Sequence, residues 1–253
     1  MQSTENHTVR RGLAARGRSL AVNAIRAGLM LAACLPALGS FSAYAASAGE
    51  VANLSGTLSV QRPDGTILVL GQKSDVQPGD LLSTQKDSYA QINFTDGSST
   101  TIRPNSQLKL EAYEFVKEKP EADNAFFRLV KGGMRTITGL VGKRGNQDAY
   151  RIGTTTATIG IRGSVGDTMS CAPSCEGVVK GGESLEPGTH HQTHSGIFTM
   201  TVGNRTELIT EGHSGFAHIG GDITVREGGM GGGQIDLRVP GGGGGGLKGG
   251  TCK

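Results

Sequence analysis

Three histidines and two glutamates within one short stretch are the residues of this chain best suited to hold a metal ion. His190-His191-Gln-Thr-His194 follows Glu183 and Glu186, and imidazole nitrogens at such close spacing can ligate a transition metal. Glycine and proline residues surround the stretch, which predicts a loop and excludes the helical HExxH arrangement of zinc proteases. An exposed polar loop is the favoured interpretation, and a metal site is the alternative.

The cysteines form the second set of reactive residues. Cys171-Ala-Pro-Ser-Cys175 places two cysteines on either side of turn-forming residues, which predicts a disulfide in an oxidising compartment. A redox-active pair is the lesser alternative, because such pairs are normally CxxC motifs ahead of a helix. Cys252 is left as an odd cysteine, either free or intermolecular.

No spacing of serine, histidine and acidic residues matches a catalytic arrangement. No serine lies in a nucleophile elbow, and no pair of carboxylates is placed by the sequence to act as acid and base. Asp64, Asp80 and Asp96 each adjoin a glycine, where aspartate stabilises turns by accepting backbone hydrogen bonds. We therefore expect a protein that is not an enzyme and that uses no cofactor.

The N-terminal 45 residues have the organisation of a signal peptide. An arginine-rich segment precedes the apolar run Ala27–Leu38, and Ala43-Tyr44-Ala45 supplies the small-x-small pattern of a cleavage site. The apolar run is too short to span a membrane. We expect cleavage after Ala45 and export to the periplasm or the medium. Lipidation of Cys34, which ends a Leu-Ala-Ala-Cys sequence, is the minority alternative.

The charge of the chain is concentrated in this leader. Residues 1–45 contain five arginines and one glutamate, and the remainder has 20 basic and 21 acidic residues. A body without excess positive charge has no basic stripe to release counterions from nucleic acid. The charge distribution therefore argues against a nucleic-acid partner.

The composition of the body predicts an all-β fold. The 253 residues include 42 glycines, and glycine costs about 1 kcal/mol relative to alanine within a helix. Short segments of alternating polarity, such as Tyr89–Phe94, are separated by turn residues at intervals typical of a sandwich, barrel or solenoid. Residues 57–61 and 66–70 flank Pro63-Asp-Gly and predict a hairpin.

Residues 228–253 differ from the body because glycine dominates them. A run of six glycines, Gly241–Gly246, follows a short apolar segment. Such a sequence buries too little apolar surface to offset the entropy of ordering it. The expected organisation is therefore a signal peptide at 1–45, an all-β domain at 46–227 and a disordered glycine-rich tail at 228–253.

Several motifs of the body resemble those of FecR-type domains. They are Gly79-Asp-Leu-Leu-Ser-Thr84, Ser88–Ser98 with its Asp-Gly-Ser end, and above all Ala157-Thr-Ile-Gly-Ile-Arg-Gly163. The resemblance extends over about residues 49–226. It implies an all-β domain of short strands in a solenoid-like or sandwich-like stack. The family is named for a ferric-citrate sensor with a periplasmic domain and a cytoplasmic sigma-factor regulator, and only the periplasmic module has a counterpart here.

The resemblance implies a function outside the cytoplasm. We expect a non-enzymatic binding or scaffolding module whose partner is an envelope protein or the cell wall, with no membrane span after signal cleavage. A component of an envelope signalling system, passing a cue to a membrane or sigma-factor regulator encoded elsewhere, is the alternative. Within the most specific motif, Gly160, Arg162 and Gly163 are expected to be structural. Arg162 would hold turn carbonyls or a carboxylate such as Asp167.

Overall fold

A computed structural model describes residues 46–144, 146, 148–175 and 185–230. Apart from a 3₁₀ helix at Pro120–Ala122, the regular elements in these ranges are β-strands. The strands are β1 (Gly49–Ser55), β2 (Leu58–Gln61), β3 (Ile67–Leu70), β4 (Asp75–Val76), β5 (Leu81–Thr84), β6 (Tyr89–Phe94), β7 (Ser99–Ile102), β8 (Gln107–Glu114), β9 (Asn124–Ile137), β10 (Tyr150–Gly153), β11 (Thr158–Cys171), β12 (Gly188–Val202), β13 (Arg205–Thr210), β14 (His213–His218) and β15 (Ile223–Glu227).

All fifteen strands belong to one mixed sheet in which three long strands are shared by two halves. The first half-sheet has the order β4-β1-β6-β7-β9-β11-β12-β14-β15. The second has the order β3-β2-β5-β8-β9-β10-β11-β12-β13, with β9 and β10 parallel. The predicted all-β class is therefore confirmed, as one open mixed sheet and not as a regular solenoid.

The long strands change partners at glycines that have left-handed backbone conformations. Gly132 in β9 has φ +92°, Gly163 in β11 has φ +67° and Gly196 in β12 has φ +78°. The pairing of β11 with β12 shifts register between Arg162 and Val165, as expected of a β-bulge. Glycine adopts this conformation without the penalty that a side chain would incur.

The inner faces of the two halves meet in a single apolar core. Phe94 of β6 makes an edge-to-face contact with Phe127 of β9, with ring centroids 5.1 Å apart. Ile92 in the first half-sheet and Leu82 and Leu108 in the second are fully buried in the same cluster. Burial of each such side chain contributes about 1.5–3 kcal/mol, so this core is what holds the halves together.

Local predictions from turn residues and alternation are confirmed. β2 and β3 form the expected hairpin, and β6 spans Tyr89–Phe94 with alternate residues buried. Each of the three aspartates accepts a hydrogen bond from a backbone N–H in its own turn. For Asp64 and Asp96 the donor lies two residues later, and for Asp80 it lies three residues earlier.

Two expectations about the later part of the chain need correction. The stretch around residues 188–195 is not a loop, because β12 begins at Gly188 and pairs with β11 back to Cys171. The compact fold also continues past residue 227, since Met230 is buried and the hydroxyl of Ser214 donates to the Gly229 carbonyl. The expected signal peptide at residues 1–45 with Cys34, and residues 231–253 with Cys252, lie outside the described residues. Within the described ranges, no helix has the length and apolarity needed to cross a membrane.

Candidate functional site

The three histidines of the sequence cluster lie on β12 and do not converge on one point. His190 and His191 are consecutive in a strand and therefore face opposite sides of the sheet. Both are buried, which corrects the expectation of an exposed loop. His194 is exposed and pairs with Asp167 instead. The interpretation of these three residues as one metal site is therefore wrong.

His191 is a fully buried residue of the core side. One ring nitrogen lies 3.0 Å from the Thr168 hydroxyl, and the ring packs against Phe198 with centroids 4.2 Å apart. Burial lowers the pKa of His191 to about 3, because a charged imidazolium would lose its hydration there. The residue is therefore neutral at physiological pH.

The predicted disulfide between Cys171 and Cys175 is present. Cys171 ends β11, and both cysteines are buried with Met169 and Leu185 in a small apolar cluster. His190 is a neighbour of this cystine, and its ring stacks on Phe216 with centroids 4.2 Å apart. Burial lowers the pKa of His190.

The Gly-Ile-Arg-Gly motif is structural through its glycines, not through its arginine. A Cβ on Gly160 would lie 2.4 Å from the Thr199 hydroxyl, and Gly163 begins the bulge of β11. Arg162 is exposed, and its side chain has no hydrogen bond to another residue in the described part of the chain. The prediction that Arg162 binds Asp167 is wrong. Side chains alternate between the two faces of β11, and after the bulge Asp167 faces Arg135 of β9, which binds it.

Ser164 secures the bulge instead. Its hydroxyl donates to the Ile197 carbonyl at 2.9 Å and accepts from the Ile197 N–H at 2.9 Å. Its own N–H donates to the Thr138 hydroxyl at 2.7 Å. Ser164 therefore links β11 to β12 and to the end of β9, a role that no sequence motif indicates.

A row of polar residues in register crosses eight strands on the outer face of the first half-sheet. Each member is the direct cross-strand partner of the next, so all lie on the same face. We call it the polar row: Asn53, Gln91, Thr101, Arg135, Asp167, Gln192, Ser214 and Arg226. Its members range from buried to exposed, and most are half-buried, so the row is open to a partner.

An ion-paired group lies at the centre of the polar row. Arg135 binds Asp167 with two parallel hydrogen bonds of 2.7 and 2.8 Å, and Nε2 of His194 lies 2.7 Å from the same carboxylate. Burial raises the pKa of Asp167, but the hydrogen bonds and charge of Arg135 and His194 outweigh burial and bring the pKa below its usual value. Asp167 is thus an ionised carboxylate that neutralises Arg135.

Arg103, on the same face just after β7, has no carboxylate within hydrogen-bond distance among the described residues, although Asp167 lies close enough to interact with its charge. It is 9% exposed, and its Nε and Nη1 atoms have no hydrogen-bond partner within the described residues. Its side chain crosses Gly133 of β9, where a Cβ would come within 2.8 Å of the Arg103 Cδ. Burial lowers the pKa of Arg103.

We call Arg103, Arg135, Asp167 and His194 the outer-face cluster. A buried guanidinium without partners costs several kcal/mol of lost hydration. Its planar fork of donors fits a carboxylate or phosphate, so the cluster has the chemistry of an anion-binding site. Sequence analysis missed it because the cluster depends on the register of four strands, although polar residues at alternate positions such as Gln91 and Asn93 did indicate a solvent-facing side.

Comparison with known proteins identifies the central part of the chain. Residues 80–172, just over a third of the chain, match the family model described as FecR protein. This match includes Arg103, Arg135 and Asp167 but ends before His194. No curated protein matches the chain significantly.

Three solved structures are similar to parts of the chain. Two are crystal structures, at 2.50 and 1.65 Å, of a Parabacteroides distasonis ATCC 8503 protein provisionally described as an anti-sigma factor, with 9% and 10% identity and a TM-score of 0.44 for both. Each match covers 58% of this chain, and the chain spans 59% of the length of each relative. A cell surface anchoring domain has 26% identity and a TM-score of 0.24 over 24% of this chain and 82% of its own.

Proposed function

We propose that the protein is an exported, non-enzymatic binding module of the bacterial cell envelope, on the premise that residues 80–172 match the FecR family model. The FecR family is associated with the envelope, which agrees with the leader expected at residues 1–45. The module binds an anionic group of an envelope protein through the outer-face cluster. Arg103 and Arg135 form its cationic part.

The buried, unpaired guanidinium of Arg103 is the observation that carries this proposal. A buried donor without a partner costs stability, and an anion that pairs with the charge of the guanidinium offsets that cost. Arg135 is already neutralised by Asp167, which leaves one net positive charge on the cluster when His194 is neutral. A carboxylate of the partner is attracted by this net positive charge.

The polar row supports the same function by providing the surroundings of the anion. Asn53 and Gln91 are joined by an amide hydrogen bond of 2.7 Å, and half-buried amides and hydroxyls continue on both sides of Arg135. Groups of this kind are typical of the polar rim around a charged anchor in protein interfaces. The anionic group of the partner therefore binds the outer-face cluster, and the polar row orients the partner around it.

Binding of defined peptides tests this proposal. We expect hexaglutamate, but not hexaglutamine, to bind the purified chain, with an affinity that falls as salt increases. Arg103→Met should weaken hexaglutamate binding at least tenfold, because charge-assisted hydrogen bonds contribute about 1.5–3 kcal/mol. The variant keeps an unbranched apolar stem and removes the buried charge.

Arg205→Met is the matched control. Arg205 is exposed on β13 and pairs with Glu207. It belongs to the second half-sheet and is a member of neither the polar row nor the outer-face cluster, so its loss should leave binding unchanged. Equal weakening by both variants would indicate unspecific attraction of an acidic peptide and would contradict the proposal. Crosslinking in the native envelope, with Arg103→Met as the negative control, would then identify the natural partner.

A second candidate function rests on the FecR match itself. The protein would be a component of an envelope signalling system that passes a cue to a membrane or sigma-factor regulator encoded elsewhere. Transcript levels in cells that produce the Arg103→Met variant distinguish the candidates. A defined set of genes changes if the protein signals, whereas a scaffold loses its partner without such a change.

Export is tested separately. The mature protein recovered from the periplasm should begin at Ala46. A diacylated Cys34 would show instead that the chain is a lipoprotein, and full-length protein in the cytoplasm would contradict export.

A further inference from the structure

A second cluster of potential ligands lies on the outer face of the first half-sheet, beside the disulfide. The Sγ atoms of Cys171 and Cys175 and a ring nitrogen of His190 all lie within 4.8 Å of one another. The strands bring them together: Met169 of β11 is the direct partner of His190, and Cys171 is the next residue of β11 on that face. All three ligand residues are buried, with exposures of 2%, 8% and 5%.

The ring of His190 is held in one orientation. Its Nε2 atom lies 2.8 Å from the Glu186 carbonyl oxygen, and because a carbonyl can only accept, Nε2 carries the proton. In the neutral ring Nδ1 therefore keeps its lone pair. A backbone carbonyl that fixes one nitrogen of a histidine while the other binds metal is a common arrangement of metal sites.

We propose that this cluster binds a single cuprous ion, Cu(I), when the disulfide is reduced. Two thiolates and one imidazole form a soft set of three ligands, and soft ligands favour Cu(I) among the biological metals. Zn²⁺ competes for the same ligands but favours four of them. Met169 and Leu185 pack around the two cysteines and keep the site apolar.

The disulfide makes copper binding dependent on the redox state. A thiol reductant supplies two electrons and two protons, so that the S–S bond breaks, two S–H groups form and the reductant becomes a disulfide. Cu(I) then replaces the two thiol protons, which pass to solvent, and two Cu–S bonds form. In the oxidised protein neither sulfur is a thiolate, and thiolates are the form of cysteine that binds metals. This inference does not depend on the proposed function.

Competition with a coloured Cu(I) chelator tests the proposal. The full chain carries Cys34→Ser and Cys252→Ser, so that Cys171 and Cys175 are the remaining thiols. After reduction by a phosphine, which is then removed, we expect the protein to withdraw one equivalent of Cu(I) from bicinchoninate. The same protein left oxidised should withdraw none.

A histidine variant distinguishes a built site from two free thiols. His190→Gln should weaken Cu(I) binding at least tenfold, whereas His213→Gln, a change on β14 outside the cluster, should leave it unchanged. Circular dichroism of the reduced proteins reports whether the sheet persists. Equal Cu(I) affinity in the two variants, whether the reduced chain is folded or unfolded, would overturn the proposal, as would failure of the reduced protein to take up copper.

Discussion

Two half-buried or buried arginines of this protein have opposite surroundings. Arg144 binds both oxygens of Asp123, at 3.0 and 3.1 Å, and donates to the carbonyls of Lys117 and Val116. Its guanidinium also lies 4.8 Å from the centre of the Phe115 ring.

Arg103, by contrast, is more deeply buried than Arg144 and leaves two nitrogens unpaired. Burial alone therefore does not identify a structural arginine. A guanidinium whose three nitrogens are all hydrogen-bonded stabilises its own loop, whereas one with free donors retains the capacity to bind something else. The comparison predicts opposite responses to the same substitution.

The largest effect is expected from Arg144→Met. The side chain of Asp123 is fully buried, and without Arg144 it becomes an uncompensated charge. Breaking one partner of a buried pair costs about 3–5 kcal/mol. Urea denaturation should show this loss in the free energy of unfolding. A loss below about 1 kcal/mol would mean that solvent replaces Arg144 and that the contrast with Arg103 is not real.

The next largest effect comes from acid, which would create a buried unpaired charge at His191. The folded pKa of about 3 lies below the ordinary value of 6.5, so between these values only the unfolded chain takes up the proton. The stability that depends on a neutral His191 is fully present above pH 6.5. As the pH falls below that value, the free energy of unfolding decreases by about 1.4 kcal/mol per pH unit. Urea denaturation at pH 7 and pH 5 measures it.

The matched variant for this prediction is His191→Gln, which retains a hydrogen-bonding group for Thr168 but cannot be protonated. Its free energy of unfolding should fall less between pH 7 and pH 5 than that of the unchanged protein. If the two proteins lose the same stability, His191 is not the group responsible.

Arg103→Met should have a small effect of the opposite sign. Replacing a buried charge without partners by an apolar side chain removes a desolvation cost. We expect the free energy of unfolding to stay within about 1 kcal/mol of the original or to increase, while hexaglutamate binding weakens at least tenfold. A decrease of several kcal/mol would place Arg103 with Arg144 as a structural residue.

The smallest effect is expected from Arg162→Ala. Its side chain is exposed and forms no hydrogen bond to the described residues, so the free energy of unfolding should change by less than about 0.5 kcal/mol. Ser164→Ala provides the contrast within the same bulge and should cost more, because it removes the two part-buried hydrogen bonds between the Ser164 hydroxyl and the Ile197 backbone. Thermal denaturation of both variants checks this order.

The sequence by itself determined the features that depend on neighbouring residues. Alternation along Tyr89–Phe94 requires one buried and one exposed face, and Pro63-Asp-Gly requires a turn between β2 and β3. Cys171 and Cys175 are close enough along the chain to be paired without knowledge of the fold. The FecR resemblance was likewise carried by local motifs, and the family match confirms it for residues 80–172.

Only the tertiary structure decided which polar residues meet. Arg135 and Asp167 are 32 residues apart, and a shift of one residue between β9 and β11 would turn them to opposite faces. Glycines also misled the interpretation of residues 188–195, because glycine marks loops and equally marks close packing within a sheet. A Cβ on Gly188 would lie 2.4 Å from the Ala217 carbonyl oxygen of the neighbouring strand β14, so this glycine allows the two strands to approach. Register and close approach are properties of several strands together, and no single segment encodes them.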